Sequence, residues 1–356
     1  RVSEALGSPV SVGSLSIPLW GPVRAGNLKV AGPLGSEQDL FSIGQIEIHY
    51  QWIKLFKGQL GNVVLVHPRL FLERHADGHW ILPMALTASS ESGSQKAAVP
   101  LPEADIEQGE VILKFGEQLV HLDDVGITLR KSQDSVYGER LRLDLRMNIR
   151  ELGGTIRGQL HTTGLQPLGD SDARITVTDL SAASLDSLLK NILGMEFPPT
   201  QGLFGVQIEG TYQAPVLKIS MEGTLQSASA QLQTMDFTLA SLHFPAMAEV
   251  RIEDGTLNLQ SLQAQALFKG ARLRSDFLDV EDTIGQVEVS LSSDKIIEAT
   301  LESTSSGAQV VYATGARIPL ENISLRGEVN GGLQGNSWNV EKLIFTSNEL
   351  APVELT

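Results

Sequence analysis

The residues of this sequence that could do chemistry include two histidines in the stretch HADGH. His75 and His79 stand four apart, and Asp77-Gly78 between them predicts a β-hairpin, because glycine accepts the positive φ that such turns need. Across a hairpin the two imidazoles could meet and bind a metal ion. The alternative is a pair of exposed histidines, and we favour it, so we expect no metal site here.

Three pairs of adjacent acidic residues are the other candidates: Asp123-Asp124, Glu253-Asp254 and Glu281-Asp282. Neighbouring residues of a strand point to opposite faces, so these pairs cannot act as carboxylate dyads, and we expect solvated turns instead. The sequence has no nucleophile elbow, phosphate-binding loop, zinc-protease motif or dinucleotide-binding motif. We therefore expect no enzyme activity, no catalytic residues and no cofactor.

Composition narrows the class of protein further. The 356 residues carry a net charge of −15, which is the wrong sign for binding nucleic acid. There is no cysteine, so disulfides and thiolate ligands are excluded. No apolar run approaches the roughly 20 residues of a membrane-spanning helix. The chain starts at Arg1, so we expect it to be a fragment whose targeting segment is missing.

The elements that would position a site are strands. RLRLDLRMNIR, residues 140–150, alternates without a slip between apolar and polar residues. Its apolar side is Leu141, Leu143, Leu145, Met147 and Ile149. The arginines of the other side form a solvated strand face rather than a phosphate-binding patch.

The same period of two recurs through most of the chain, with turns rich in Gly and Pro. We predict a mainly β fold: an elongated, antiparallel, rolled sheet, a U-shaped β-groove with an apolar interior and one or two short amphipathic helices. SAASLDSLLKNILGM, residues 181–195, is the exception, because its leucines follow helical spacing and Ser181 or Ser184 can cap the helix. The predicted organisation is a β-groove start at 1–83, a flexible linker at 84–100, and a continuing β-groove at 101–356 with the helix near 181–194.

Four strands share a pattern with glycine in the middle of the apolar side: TIRGQL, QIEGTY, SMEGTL and SLRGEV. A glycine there weakens a strand, so it marks a bend, a bulge or a close approach by another group. We expect curvature points of a rolled sheet, a widened internal groove, or both. With the strand at 140–150, these segments supply the remaining groove-lining candidates: Ile156, Gly158, Leu160, Ile208, Gly210, Met221, Gly223 and Leu225.

Several segments resemble the AsmA-like family. LGSPVSVGSLSIPLWGPVRAGNLKVAG, residues 6–32, resembles the stretch that follows the family's membrane anchor. Residues 41–80 resemble the next block, with Leu55, Gly58, Pro68 and the Asp77-Gly78 turn at matching positions. Residues 104–129 and 201–232 are similar to the family's pair of long strands and to its glycine-bearing hairpin, with Pro215 at the turn.

This resemblance implies a function. AsmA-like and TamB-like proteins of Gram-negative bacteria are β-grooves anchored in the inner membrane that extend into the periplasm and take part in moving phospholipid towards the outer membrane. By analogy we expect acyl chains in an apolar groove, a membrane anchor that is missing from this chain, and possible envelope protein partners. A continuous apolar groove would spare an acyl chain about 0.8 kcal/mol for each CH₂ kept from water.

Two other classes fit the residues alone. An envelope scaffold or assembly protein would have the same sheet with a filled core and protein-binding edges. A carbohydrate-binding or hydrolytic solenoid would show clustered aromatics, but Trp20, Trp52, Trp80 and Trp338 are dispersed, which makes this class the weakest. The sequence does not decide between a lipid conduit and a scaffold.

Overall fold

The computed structural model describes residues 9–18, 21–31, 39–50, 61–74, 80–81, 103–116, 118–134, 138–163, 169–184, 200–232, 235–253, 256–276, 278–291, 296–311, 317–332, 338–348 and 353–355. The chain divides into two compact units, residues 1–165 and 166–356. Each of them is built from strands, so the predicted mainly β, antiparallel fold class is confirmed.

The strands of the first unit are β1 (Val10–Ser16), β2 (Val23–Ala31), β3 (Asp39–Ile48), β4 (Val63–Arg74), β5 (Trp80–Ile81), β6 (Ala104–Phe115), β7 (Gln118–Asp134), β8 (Gly138–Ile149) and β9 (Gly154–Thr162). Consecutive strands pair antiparallel from β1 to β5 and from β6 to β9. The exception is β4 with β6, which run parallel because the chain crosses over between them.

Arg74 pairs with Trp80, so β4 and β5 form the hairpin that Asp77-Gly78 predicts. Its connecting residues, including His75 and His79, lie outside the described residues, and so does the predicted linker 84–100.

The strands of the second unit are β10 (Ser171–Ser181), β11 (Thr200–Gln213), β12 (Val216–Leu232), β13 (Met235–Glu253), β14 (Thr256–Ser275), β15 (Leu278–Leu291), β16 (Ile296–Val311), β17 (Arg317–Gly332), β18 (Trp338–Thr346) and β19 (Val353–Leu355). Each pairs antiparallel with the next, which makes a meander. Pro215 lies in the tight turn between β11 and β12, as the resemblance implies.

The predicted helix near 181–194 is described only at its start. Residues 182–184 are helical, and the Ser181 hydroxyl accepts a hydrogen bond from the Ser184 N–H at 3.4 Å. Ser181 is therefore the N-cap, one of the two capping residues that the sequence offers. The rest of the predicted helix lies outside the described residues.

A row of residues with left-handed backbone crosses the strands of the second unit. Six strands contribute a residue with positive φ to this left-handed row: Asp179, Gly202, Ser227, Gly270, Asp282 and Asn322. Between them, Ala240 faces Ser227 and Gly270, and Ser306 faces Asp282 and Asn322. Left-handed residues and bulges bend strands and increase their twist, so the row bends this sheet along one line.

The row also shifts the alternation of each strand by one residue. In β12 the apolar face takes the odd positions up to Leu225 and the even positions from Ala228, with Ser227 at the switch. In β17 Asn322 makes the same switch between Leu320 and Ile323. The left-handed residue thereby keeps apolar side chains on one face along the whole strand.

The first unit has a comparable row. Asn27, His67, Gln108 and Asp124 have positive φ, and Gly44 lies between Asn27 and His67 in the register. These residues lie on β2, β4, β6 and β7, and β8 and β9 contain none. The first unit is therefore bent across its earlier strands.

Two of the acidic pairs expected in turns lie within strands instead. Asp123-Asp124 is in the middle of β7 and Glu281-Asp282 is within β15, with Asp124 and Asp282 in left-handed conformation. The turn prediction is wrong there, because aspartate tolerates the left-handed region in bulges as well as in turns. Asp254 lies outside the described residues.

Candidate functional site

The apolar face of the first unit is centred on β8 and β9. Opposite each other on these strands are Leu143 and Leu160, Leu145 and Gly158, and Met147 and Ile156. Leu141 and Ile149 lie on the same side at the two ends of β8. The structure therefore brings all eight candidates from residues 140–160 onto one face. Ile149 and Gly158 are buried, whereas the remaining apolar side chains of this set are only half-buried.

The opposite face of β8 is ionic. Arg142 Nε donates to Asp144 at 2.8 Å and Arg150 Nε donates to Asp123 at 2.7 Å. The hydrogen bond from Arg142 holds the pKa of Asp144 below its usual range. Arg146 lies 3.9 Å from Asp124. These three arginines are thus paired with aspartates, which supports the prediction of a solvated face rather than a phosphate-binding patch.

A stronger ionic cluster joins β6 and β7. Arg130 Nη2 donates to both carboxylate oxygens of Asp105, at 2.7 and 2.8 Å, and Asn62 Nδ2 donates to the same group at 2.7 Å. Partial burial alone would raise the pKa of Asp105, but the hydrogen bonds from Arg130 and Asn62 outweigh it and hold the pKa below its usual range. Through Asp105, these hydrogen bonds connect Arg130 of β7 with Asn62, the residue before β4.

The apolar face of the second unit contains the other candidates. Ile208 lies opposite Met221, Gly210 opposite Ile219, Gly223 opposite Val206 and Leu225 opposite Phe204. The face continues over the following strands with Leu242, Phe244, Ala246, Leu262, Ala264, Phe268, Val287, Val289, Leu301 and Leu325. The five groove-lining candidates from residues 208–225 therefore form one part of a larger apolar surface.

Full burial in the second unit is concentrated at the left-handed row. Two buried clusters lie there: Ala228, Leu239 and Ala271, and Ala308, Leu320 and Ile323. Ala228, Ala271, Leu320 and Ile323 are within two positions of a residue of the row, and Leu239 and Ala308 are within two positions of Ala240 and Ser306, which face it. Away from the row the apolar face is half-buried, and Ile175 is 41% exposed. The sheet is thus most fully packed along its bend and less fully packed on the flank.

A buried hydroxyl supports the bend. Ser305 is 7% exposed and its Oγ lies 2.6 Å from the carbonyl oxygen of Glu281, next to the left-handed Asp282. Bulges leave backbone groups without ladder partners, and a buried carbonyl needs a donor. The Ser305 hydroxyl supplies that donor.

Gly223 shows a close approach rather than a bulge. Phe244 lies opposite it on β13, and a side-chain carbon at residue 223 would overlap the Phe244 ring. The ring therefore lies over the glycine and stacks on Phe204 of β11, with ring centroids 5.8 Å apart. Phe268 covers Gly285 in the same way between β14 and β15. These three phenylalanines were missed from the sequence, although each lies on the apolar positions of its strand.

Gly158, Gly210 and Gly223 do not mark bulges, the second of the three features that a glycine at such a position can mark. They lie in regular register and none has positive φ. Gly327 stands just before a register shift between Glu328 and Val329. The main bends are made by the left-handed rows instead, and the signal that could have located them is the one-residue slip in the apolar alternation.

The described residues contain no group of three or more His, Asp or Glu placed to hold a metal ion. In the same part of the chain no helix is both long and apolar enough to cross a membrane. No protein-family model, curated protein or solved structure matches this chain. The arguments for function therefore rest on the two apolar faces and their geometry.

Proposed function

We propose that the apolar faces of this protein bind the acyl chains of phospholipids, with no catalytic step. The observation that carries the proposal is the half-burial of the second unit's apolar flank, in contrast to the full burial along its left-handed row. A folded protein gains about 25 cal/mol for each Å² of apolar surface that it removes from water. A broad aliphatic face left half-open is therefore a surface that an apolar ligand can cover.

The shape of the residues on this flank favours a chain-like ligand. The rings of Phe244 and Phe268 lie over glycines, so each ring fills the space that a side chain of the neighbouring strand would otherwise occupy. Most of the remaining residues are aliphatic or small, such as Ile208, Met221 and Ala246, and the hydroxyls of Tyr212 and Ser303 are the polar groups among them. An acyl chain needs only apolar contact.

By the resemblance to AsmA-like proteins, we further propose that binding serves phospholipid transport between the inner and outer membranes of a Gram-negative cell. The protein would then work in the periplasm, held by a membrane anchor on the N-terminal side of Arg1. This part of the proposal depends on the resemblance and the acyl-binding part depends on the geometry, so the two are tested separately.

The acyl-binding proposal is tested with two methionines on opposite faces of the second unit. Met221 is on the apolar face, whereas Met247 is on the polar face and is 59% exposed. A photo-crosslinking amino acid at residue 221 should capture phospholipid in cells, and the same amino acid at 247 should not. Leu145 and Asp144 form the equivalent pair in the first unit.

Organic extracts of the purified protein, analysed by mass spectrometry, should contain phospholipid at near-stoichiometric amounts. Equal capture at 221 and 247 would show that lipid does not select the apolar face. No capture at 221 or 145, together with lipid-free protein, would favour the envelope scaffold with protein-binding edges.

A further inference from the structure

The polar face of the second unit contains a depression of about 670 Å³. One row of residues crosses it in register from β11 to β16: Glu209, Ser220, Met247, Gln263, Ser290 and Glu298. The row beside it contains Glu222, Pro245 and Glu288. In the first row the short Ser220 and Ser290 stand between larger side chains.

Met247 is an exposed apolar residue in the middle of this polar surface. It is 59% exposed, and its neighbours across the strands are Ser220 and Gln263. Pro245, two residues away on the same side of β13, adds apolar surface. An exposed methionine with a proline at the centre of a depression provides an apolar contact for a partner.

The charged residues that line the depression all have one sign, and Lys218 beside it pairs with Glu249. Glu209, Glu222, Glu288 and Glu298 line the depression, and no lysine or arginine lines it. Arg174 pairs with Glu209 from outside, at 2.6 Å, and His243 lies 3.5 Å from Glu222. In the described part of the chain no lysine or arginine forms an ion pair with Glu222, Glu288 or Glu298. The local field therefore attracts cations.

We propose that this depression binds an extended, basic segment of a partner protein. Glu209 and Glu298 are separated by five strand spacings of about 4.8 Å, or about 24 Å, which about eight residues of an extended chain span. Every second side chain of such an extended segment faces the sheet. Basic residues near its ends would meet the glutamates, and an apolar residue at its middle would contact Met247.

This surface is separate from the acyl-binding face. Met247 and Glu222 point to the side of the sheet opposite Met221 and Ile208, because neighbouring residues of a strand alternate. The protein could therefore hold a protein partner on one face and lipid on the other. Anionic membranes and nucleic acids have the wrong charge for this depression.

The test uses the full chain and a labelled nonapeptide, acetyl-Arg-Ser-Arg-Ser-Leu-Ser-Arg-Ser-Arg-amide, in fluorescence anisotropy titrations. The triple variant Glu222→Gln, Glu288→Gln, Glu298→Gln should weaken binding at least about tenfold. The matched control is Glu281→Gln, Glu302→Gln, Glu328→Gln, which removes the same charge elsewhere on this face, beside Arg272 and Arg326. It should change binding by less than about twofold.

Met247→Ser should weaken binding of this peptide several-fold and should not change binding of the same peptide with serine in place of leucine. A photo-crosslinking amino acid at residue 247 should capture the peptide, and one at 221 should not. If the two triple variants weaken binding equally, the peptide responds only to the net charge of the protein, and the proposal is overturned. Absence of peptide binding at low salt, or tighter binding of spermidine than of the peptide, would also overturn it.

Discussion

The ring of Phe244 lies over Gly223 and stacks on Phe204, so that one aromatic side chain crosses strand β12 from β13 to β11. Only glycine at residue 223 permits this, because any side chain there would occupy the space of the ring. Glycine weakens the interior of a strand, and the aromatic ring covers the backbone at this position. Because the ring lies on the backbone, it does not project above the apolar face.

We therefore expect Gly223→Ala to destabilise the protein by about 1–3 kcal/mol, because the added methyl group must displace the ring. Gly210→Ala is the matched control on the neighbouring strand, since a side-chain carbon there would meet only the Lys218 carbonyl oxygen, at 3.8 Å. It should be neutral or stabilise the protein by up to about 1 kcal/mol. Urea unfolding measures both changes, and equal stability of the two variants would contradict the stacking argument.

At positions of the left-handed row that are not glycine, substitution by glycine should relieve backbone strain. Ser227 has φ of 51°, so Ser227→Gly should be neutral or stabilising, whereas Ser227→Val should cost about 1–3 kcal/mol. Ser229→Val, two residues along β12 in regular register, should change stability by less than about 0.5 kcal/mol. Thermal unfolding of the three variants checks this order, and a tolerated valine at 227 would argue against the backbone bend.

The pairing of Asp105 with Arg130 predicts a pH dependence. The folded-state pKa of Asp105 is lowered, so its contribution to stability is present above the unfolded-state pKa of about 4 and is lost as the pH falls through the lower folded-state value. Asp105→Asn should cost about 1–2 kcal/mol at pH 7, a value reduced for the partial exposure of Arg130.

The stability difference between wild type and Asp105→Asn should shrink at low pH, as measured by urea unfolding between pH 2 and pH 7. Asp124→Asn is the control, because Asp124 and Arg146 are exposed and 3.9 Å apart, and it should have almost no effect. A difference for Asp105→Asn that does not depend on pH would show that its carboxylate charge does not stabilise the fold.

Leu145→Asp distinguishes an open groove from a filled core. If the apolar face of β8 is open enough to hydrate a carboxylate, the variant should fold and lose bound lipid. In a filled core, the unpaired charge would cost several kcal/mol and the protein would fail to accumulate. Arg146→Ser on the opposite face should retain both folding and lipid. Circular dichroism and lipid analysis of the purified variants separate these outcomes.

The sequence by itself determined the class of fold and the composition of each strand face. Alternation such as that of residues 140–150 can be satisfied only by a strand with one polar and one apolar side, so Leu143 and Leu145 share a face in any sheet that contains this strand. The sequence also predicted a solvated arginine face, whereas the pairing of Arg142 with Asp144 and of Arg150 with Asp123 came from the structure.

Only the tertiary structure decided how the strands bend and which side chains meet across them. Serine has no preference for the left-handed region, so the conformation of Ser227 follows from the register of the strands that pair on either side of it. The contact of Phe244 with Gly223 and Phe204 joins three strands, and pairing register is a property of the sheet rather than of any one segment. The row from Glu209 through Met247 to Glu298 exists for the same reason: six strands bring together residues that are distant in sequence.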